Sequence, residues 1–110
     1  MSSKVSHITL QVEVDENNIP EKLAWTAPDG GIQNEATKAL FLAVWDHKHL
    51  ESLRVDLWTK DMPVDQMKEF FHQTLVSMAN TYERATNDHL LAETMRDFCA
   101  YFGEKIKGEE

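Results

Sequence analysis

The stretch LRVDLWTKDMPVDQMKEFF, Leu53 to Phe71, limits the possible folds more than any other part of the chain. Within it the apolar period changes from two to about 3.6, with a proline at the join. Leu53, Val55 and Leu57 alternate with Arg54, Asp56 and Trp58, as on a strand with one buried face. From Pro63 the apolar steps are three or four residues: Val64, Met67, Phe71, Leu75, Met78, Tyr82 and Ala85. A strand that runs straight into a long amphipathic helix implies an α+β architecture.

Three further strand segments and a second helix complete the pattern. Ser6 to Val14 alternates, with Ile8, Leu10, Val12 and Val14 on one side and Thr9, Gln11 and Glu13 on the other. Asp15-Glu16-Asn17-Asn18 reads as a turn, and Glu21 to Ala27 as a weaker strand with Leu23 and Trp25 on its apolar side. Pro28-Asp29-Gly30-Gly31 ends that strand, and a polar, mobile connection is expected as far as about Lys38. Ala39 to Asp46 is apolar on both faces, which suits a central strand, and Leu53 to Lys60 returns antiparallel to it. A first helix is expected from about Pro63 to Arg84. A second follows from Asn87 or Asp88 to about Lys107, with Asn87 as N-cap. The expected fold is an antiparallel sheet of about four strands followed by two helices packed on one face.

At 110 residues the chain reads as a single domain, 1–110, that buries roughly 65% of its unfolded surface and needs no disulfide. Nineteen acidic against eleven basic residues give a net charge of −8, which disfavours nucleic acid and anionic lipid as partners. No stretch approaches the ~20 apolar residues of a membrane span, and the N-terminal MSSKVSHITLQ lacks the features of a secretion signal. With a single cysteine no internal disulfide forms, so a reducing, cytoplasmic location is expected.

If Leu40, Leu42 and Val44 point to the helices, then Phe41, Ala43 and Trp45 point away, with Arg54, Asp56 and Trp58 on the neighbouring strand. A face carrying three large aromatics beside Arg54 and Glu13 has the composition of an interface hot spot. Phe41, Trp45, Arg54, Trp58 and Met62 are therefore the candidate protein-binding residues. Burial of the same face under the N-terminal loops, or in a homodimer, accounts for the composition as well.

Chemistry-bearing clusters are weak by comparison. His47 and His49 beside Asp46 suggest zinc, but a structural site takes four ligands and no second Cys/His pair lies near, so no metal is expected. Cys99 sits mid-helix among apolar neighbours, where a small packed side chain is expected rather than a thiolate nucleophile. Asp61 and Asp65 lie at a helix entrance, where capping explains them. No phosphate loop, nucleophile elbow or dinucleotide fingerprint occurs, and neither catalytic residues nor a cofactor are expected.

The segment LRVDLWTKDMPVDQMKEFFHQTL resembles the core signature of the gliding-motility-associated protein GldC family, with LWTKDMPVDQMK as its specific part. ITLQVEVDENNIPEKLAWTA, EATKALFLAVWDHKHLESLRVDLWTKDM and LVSMANTYERATNDHLLAETMRDFC are similar in layout, so the resemblance covers nearly the whole chain. It implies a non-catalytic, cytoplasmic accessory protein of the gliding machinery. The expected partners are other motility proteins, with a GldB-type membrane lipoprotein as neighbour. The competing class is a small ligand-binding or enzymatic domain with a pocket between sheet and helices, for which His72, Thr74, Asn80 and Tyr82 are the available polar groups.

Overall fold

The computed structural model describes residues 3–108, in the order β1 (Thr9–Val14), β2 (Pro20–Ala27), a 3-10 turn (Pro28–Gly30), β3 (Ile32–Thr37), β4 (Ala39–Asp46), β5 (Glu51–Trp58), α1 (Val64–Thr86) and α2 (His89–Gly108). The fold is α+β. It divides into two compact units, residues 1–62, which hold every strand, and residues 63–110, which hold both helices.

The first unit has five strands in two antiparallel sheets, β1-β2-β3 and β4-β5. Two features differ from the sequence expectation. The polar stretch after Gly31 is a strand, although Gln33-Asn34-Glu35 carries no apolar alternation. Its ladder to β2 is set by the turn: Gly31, at φ 74°, returns its N–H to the Pro28 carbonyl, and the Asn34 N–H bonds Thr26 Oγ1. A φ in this range is one that glycine adopts freely. Secondly, β4 is apolar on both faces yet has β5 as its ladder neighbour, so it is one arm of a hairpin rather than a central strand.

The Asp15–Asn18 cluster forms the β1–β2 turn, with Asp15 Oδ1 accepting the N–H groups of Asn17 and Ile19. At the β4–β5 turn the Asp46 carboxylate accepts the His49 N–H at 2.8 Å and lies 2.6 Å from His49 Nδ1. Leu50 closes that turn at φ 54°.

Thr59, Lys60 and Asp61 stand where the two sheets of this unit meet. The Lys60 N–H donates to the Pro20 carbonyl of β2 at 3.0 Å, and the Thr59 N–H donates to the Lys38 carbonyl at 2.8 Å, one pair beyond the end of the β4–β5 ladder. Thr59 is buried, 3% exposed, and its hydroxyl donates to Asp61 Oδ1. Asp61 also takes Lys38 Nζ at 3.0 Å, while Lys60 Nζ reaches Asp15 at 2.9 Å and Glu21 at 3.1 Å. Asp61 is thus a fastener between sheets and not a helix cap; α1 starts on Pro63 without a side-chain cap.

The second unit is an antiparallel helical hairpin. Asn87 ends α1 in the left-handed conformation, at φ 59°, and its N–H bonds the Glu83 carbonyl. The N-cap of α2 is therefore Asp88 rather than Asn87: Asp88 Oδ1 accepts the Leu91 N–H, and Oδ2 takes the Tyr82 hydroxyl. The seam is lined by small residues, with Ala79, Ala92, Cys99 and Gly103 all buried. Small side chains let the helix backbones approach closely.

On one side of the seam Arg96 bonds Asn80, Glu83 and Glu93. The Arg96 guanidinium first, and His89 second, hold the Glu83 carboxyl below its ordinary range. Of the α1 stripe read from the sequence, Met67, Leu75 and Tyr82 are half-buried while Phe71 and Met78 are exposed, and the fully buried position of this helix is Ala79.

His72 crosses the seam. Its Nε2 lies 3.0 Å from the Cys99 carbonyl, so Nε2 carries the proton and donates, and its ring stacks on Phe102 at 6.0 Å. A Cβ at position 103 would stand 2.8 Å from His72 Nε2, so a side chain there would displace the ring from its bond to Cys99 and its stack on Phe102, and glycine avoids this at a helical cost of about 1 kcal/mol. Gly103→Ala is expected to lower stability by about 1–3 kcal/mol through overpacking. In a His72→Ala background the clash is gone and Gly103→Ala becomes stabilising. Urea unfolding of the four-member cycle checks this change of sign.

Candidate functional site

The β4–β5 register fixes which of the candidate residues share a face. The pairs are Ala39–Trp58, Phe41–Asp56, Ala43–Arg54 and Trp45–Ser52 on one side of the ladder. Residues directly opposite one another project to the same face, so Phe41, Trp45, Arg54 and Trp58 share it. Leu40–Leu57, Leu42–Val55 and Val44–Leu53 occupy the other.

Trp45 is 66% exposed and Trp58 52%, at opposite ends of the face. Six residue steps along a strand separate their positions by about 20 Å. Between them the Arg54 guanidinium lies 5.7 Å from the Phe41 ring centroid, a cation–π contact, and donates from Nη2 to Asp56 Oδ1 at 2.6 Å. Phe41 is half-buried, which holds the ring while Asp56 orients the guanidinium. The surface is thus an ordered Arg–aromatic centre with a tryptophan at each end.

Two residues assigned to this surface from the sequence stand elsewhere. Met62 lies past the end of β5, where its N–H bonds the Thr59 carbonyl; it is half-buried and has no place in the ladder. Glu13 is on β1, opposite Lys22 in the other sheet. Sequence reasoning also left Thr59 and Lys60 of the fastener unassigned and read Asp61 as a helix cap. The available signal was a run of Thr, Lys and Asp at a strand end, each able to bond across a sheet boundary.

A groove of about 820 Å³ opens on the three-stranded sheet, with Gln11, Lys22, Ala24, Asn34, Ala36 and Lys38 in its lining. Three of its charged groups are engaged in ion pairs, Lys38 and Asp61 with each other and Glu21 with Lys60. Among the described residues no three His, Cys, Asp or Glu side chains converge as a metal site would require, and no helix is long and apolar enough to cross a membrane. Cys99 is buried in the helical seam.

The shifted ionisations within this unit belong to the fastener. The Asp15 carboxyl is held at about 2, first by the Ile19 N–H, then by Lys60 and by the Asn17 N–H. Lys60 is pushed up by Asp15 and then Glu21; Asp61 is pulled down by the Thr59 hydroxyl and then Lys38.

Residues 20–108 match the family model described as gliding motility-associated protein GldC-like. No curated protein and no solved structure matches the chain.

Because the folded carboxyl of Asp15 ionises below its ordinary value of 3.8, its contribution to stability is complete above about pH 4. It is lost as the pH falls through the folded value of about 2. Unfolding of wild type and Asp15→Asn across pH 2–7 is expected to show a stability difference that is constant above pH 4–5 and closes towards pH 2. A difference that persists undiminished at pH 2 would contradict this role for Asp15.

Proposed function

Because the chain belongs to the GldC-like family of gliding motility-associated proteins, we propose that it is a non-catalytic accessory protein of the bacterial gliding machinery. In this reading it acts through the aromatic face of the β4–β5 hairpin. The observation that carries the proposal is the shared face of Phe41, Trp45, Arg54 and Trp58, with both tryptophans more than half exposed. Tryptophan and arginine are the residues that contribute most to exchangeable protein interfaces. The pre-ordering of Arg54 by Asp56 and Phe41 lowers the entropic cost of using it in a contact.

The partners in this reading are other proteins of the motility machinery, and a GldB-type membrane lipoprotein is the first candidate. The protein itself works in the cytoplasm, as a helper that docks on membrane-anchored components rather than inserting. A ligand-binding or enzymatic domain is the second reading. The groove on the three-stranded sheet favours it, and native mass spectrometry of the purified protein tests it through any retained small molecule.

The principal test is capture from a gliding bacterium with tagged wild type beside the Trp45→Ala/Trp58→Ala double variant, with the recovered proteins identified by mass spectrometry. Loss of two hot-spot tryptophans is expected to reduce recovery of a specific motility component by about tenfold or more. Equal recovery by a folded double variant would overturn the aromatic face as the binding surface.

A further inference from the structure

β4 has β5 as its ladder neighbour on one edge, and among the described residues no strand pairs with the other. One bond fixes which backbone groups point that way. The Thr59 N–H donates to the Lys38 carbonyl, which makes 38–59 a hydrogen-bonded pair. Bonded and non-bonded pairs alternate along an antiparallel ladder. Leu40, Leu42 and Val44 therefore turn their N–H and C=O groups to β5, and Ala39, Ala43 and Trp45 turn theirs to the outer edge. These groups lie in the plane of the sheet, so a layer laid on either face does not bond them.

Edge strands are commonly guarded by a proline, a lysine or a bulge. β4 has none of these, and ALFLAVWD is regular along its whole ladder. The edge of β3 is guarded: Gln33 and Asn34 stand together against Thr26 at its bulge, with Asn34 left-handed at φ 49°. The strands of the chain are already placed in their two sheets, and from Val64 to Gly108 there are only helices. A strand for the outer edge of β4 thus comes from another chain.

We propose that this edge pairs antiparallel with β4 of a second copy, about a two-fold axis at Leu42, to give a continuous sheet in the order β5-β4-β4-β5. The strand's own sequence selects both partner and register. With Leu42 opposite its copy, Leu40 meets Val44, Phe41 meets Ala43 and Ala39 meets Trp45, so each aromatic lies against an alanine. One step further out, Lys38 meets Asp46, an opposite-charge pair at both ends of the interface. A register centred on Phe41 would set Lys38 against Val44. One centred on Ala43 would set Phe41 against Trp45 and Leu40 against Asp46. Of these three, the Leu42 register alone matches size and charge at every position.

The backbone agrees with that register, since Ala39 and Trp45 stand opposite and both turn their groups outward. Lys38 also bonds Asp61, and Asp46 bonds His49; an ammonium has three donors and a carboxylate two oxygens, so each has capacity for the second contact. The pairing sets Ala39 between Trp58 of its own hairpin and Trp45 of the other, two strand spacings or about 10 Å apart. It requires nothing of what the aromatic face binds.

The test is the solution mass by light scattering over a hundredfold range of concentration, with the fold followed by circular dichroism. Wild type is expected at twice the chain mass of 12.7 kDa. Ala43→Pro removes an outward donor and no bond to β5, so a folded monomer is expected. A wild-type monomer throughout, or a dimer that survives Ala43→Pro, would overturn the proposal.

If Ala43→Pro does not fold, cysteine substitution decides instead. Leu42→Cys stands opposite itself at the axis, where the Cα atoms of a non-bonded pair are about 4.5 Å apart, within reach of a disulfide. An interchain disulfide is expected there under mild oxidation. None is expected for Val44→Cys, which faces Leu40; Cys99, buried in the helical seam, is common to both variants. Equal cross-linking of the two variants, or none in either, would contradict the pairing.

Discussion

The hydrogen bond from the Lys60 N–H to the Pro20 carbonyl joins the two sheets of the first unit, because Lys60 follows β5 and Pro20 opens β2. Beside it the Thr59 N–H donates to the Lys38 carbonyl, which carries the β4–β5 register one pair past Ala39–Trp58 to the bend between β3 and β4. The hairpin is thereby fixed to the three-stranded sheet at its root. The side chains of Lys38, Asp61, Lys60, Asp15 and Glu21 surround both bonds with charge. Exposed ion pairs of this kind contribute little singly; here they flank the two backbone bonds at the root of the hairpin.

That anchor has a consequence for function. With the hairpin secured at its root, the aromatic face holds Arg54 and Phe41 in a fixed relation between Trp45 and Trp58. The segment LWTKDMPVDQMK contains both features side by side: Thr59, Lys60 and Asp61 fasten the hairpin root, and Trp58 is more than half exposed at the end of the aromatic face.

The α+β class, both helices and four of the strands were legible because each is written in periodicity. The change of period at Pro63 located α1 within a residue of its start, and the alternation of Ala39–Asp46 with Leu53–Trp58 placed four of the candidate site residues on one face. What periodicity does not encode was missed. β3 has only Ile32 and Ala36 as apolar residues, and its pairing follows the turn closed by a left-handed Gly31. The split at Lys38 depends on contacts to Thr59 and Asp61, more than twenty residues away, so the local sequence carries no trace of it. Asn87 and Asp88 are both competent N-caps; the left-handed conformation that ends α1 at Asn87 hands the cap to Asp88. Met62 was grouped with Trp58 by proximity in sequence, and the turn after Thr59 removes it from the ladder.

The account separates two adjacent residues, and the unfolding free energies of Trp58→Ala and Thr59→Val measure that separation most directly. Thr59 is part of the fastener: loss of its buried hydroxyl leaves Asp61 Oδ1 without its donor, with Lys38 still on Oδ2, and Thr59→Val is expected to cost about 1–3 kcal/mol. Trp58 serves a partner and not the fold, so Trp58→Ala is expected to cost less than about 1 kcal/mol. The reverse order, with Trp58→Ala losing the 3–5 kcal/mol typical of a large core aromatic, would place Trp58 in the core and contradict the aromatic face as a binding surface.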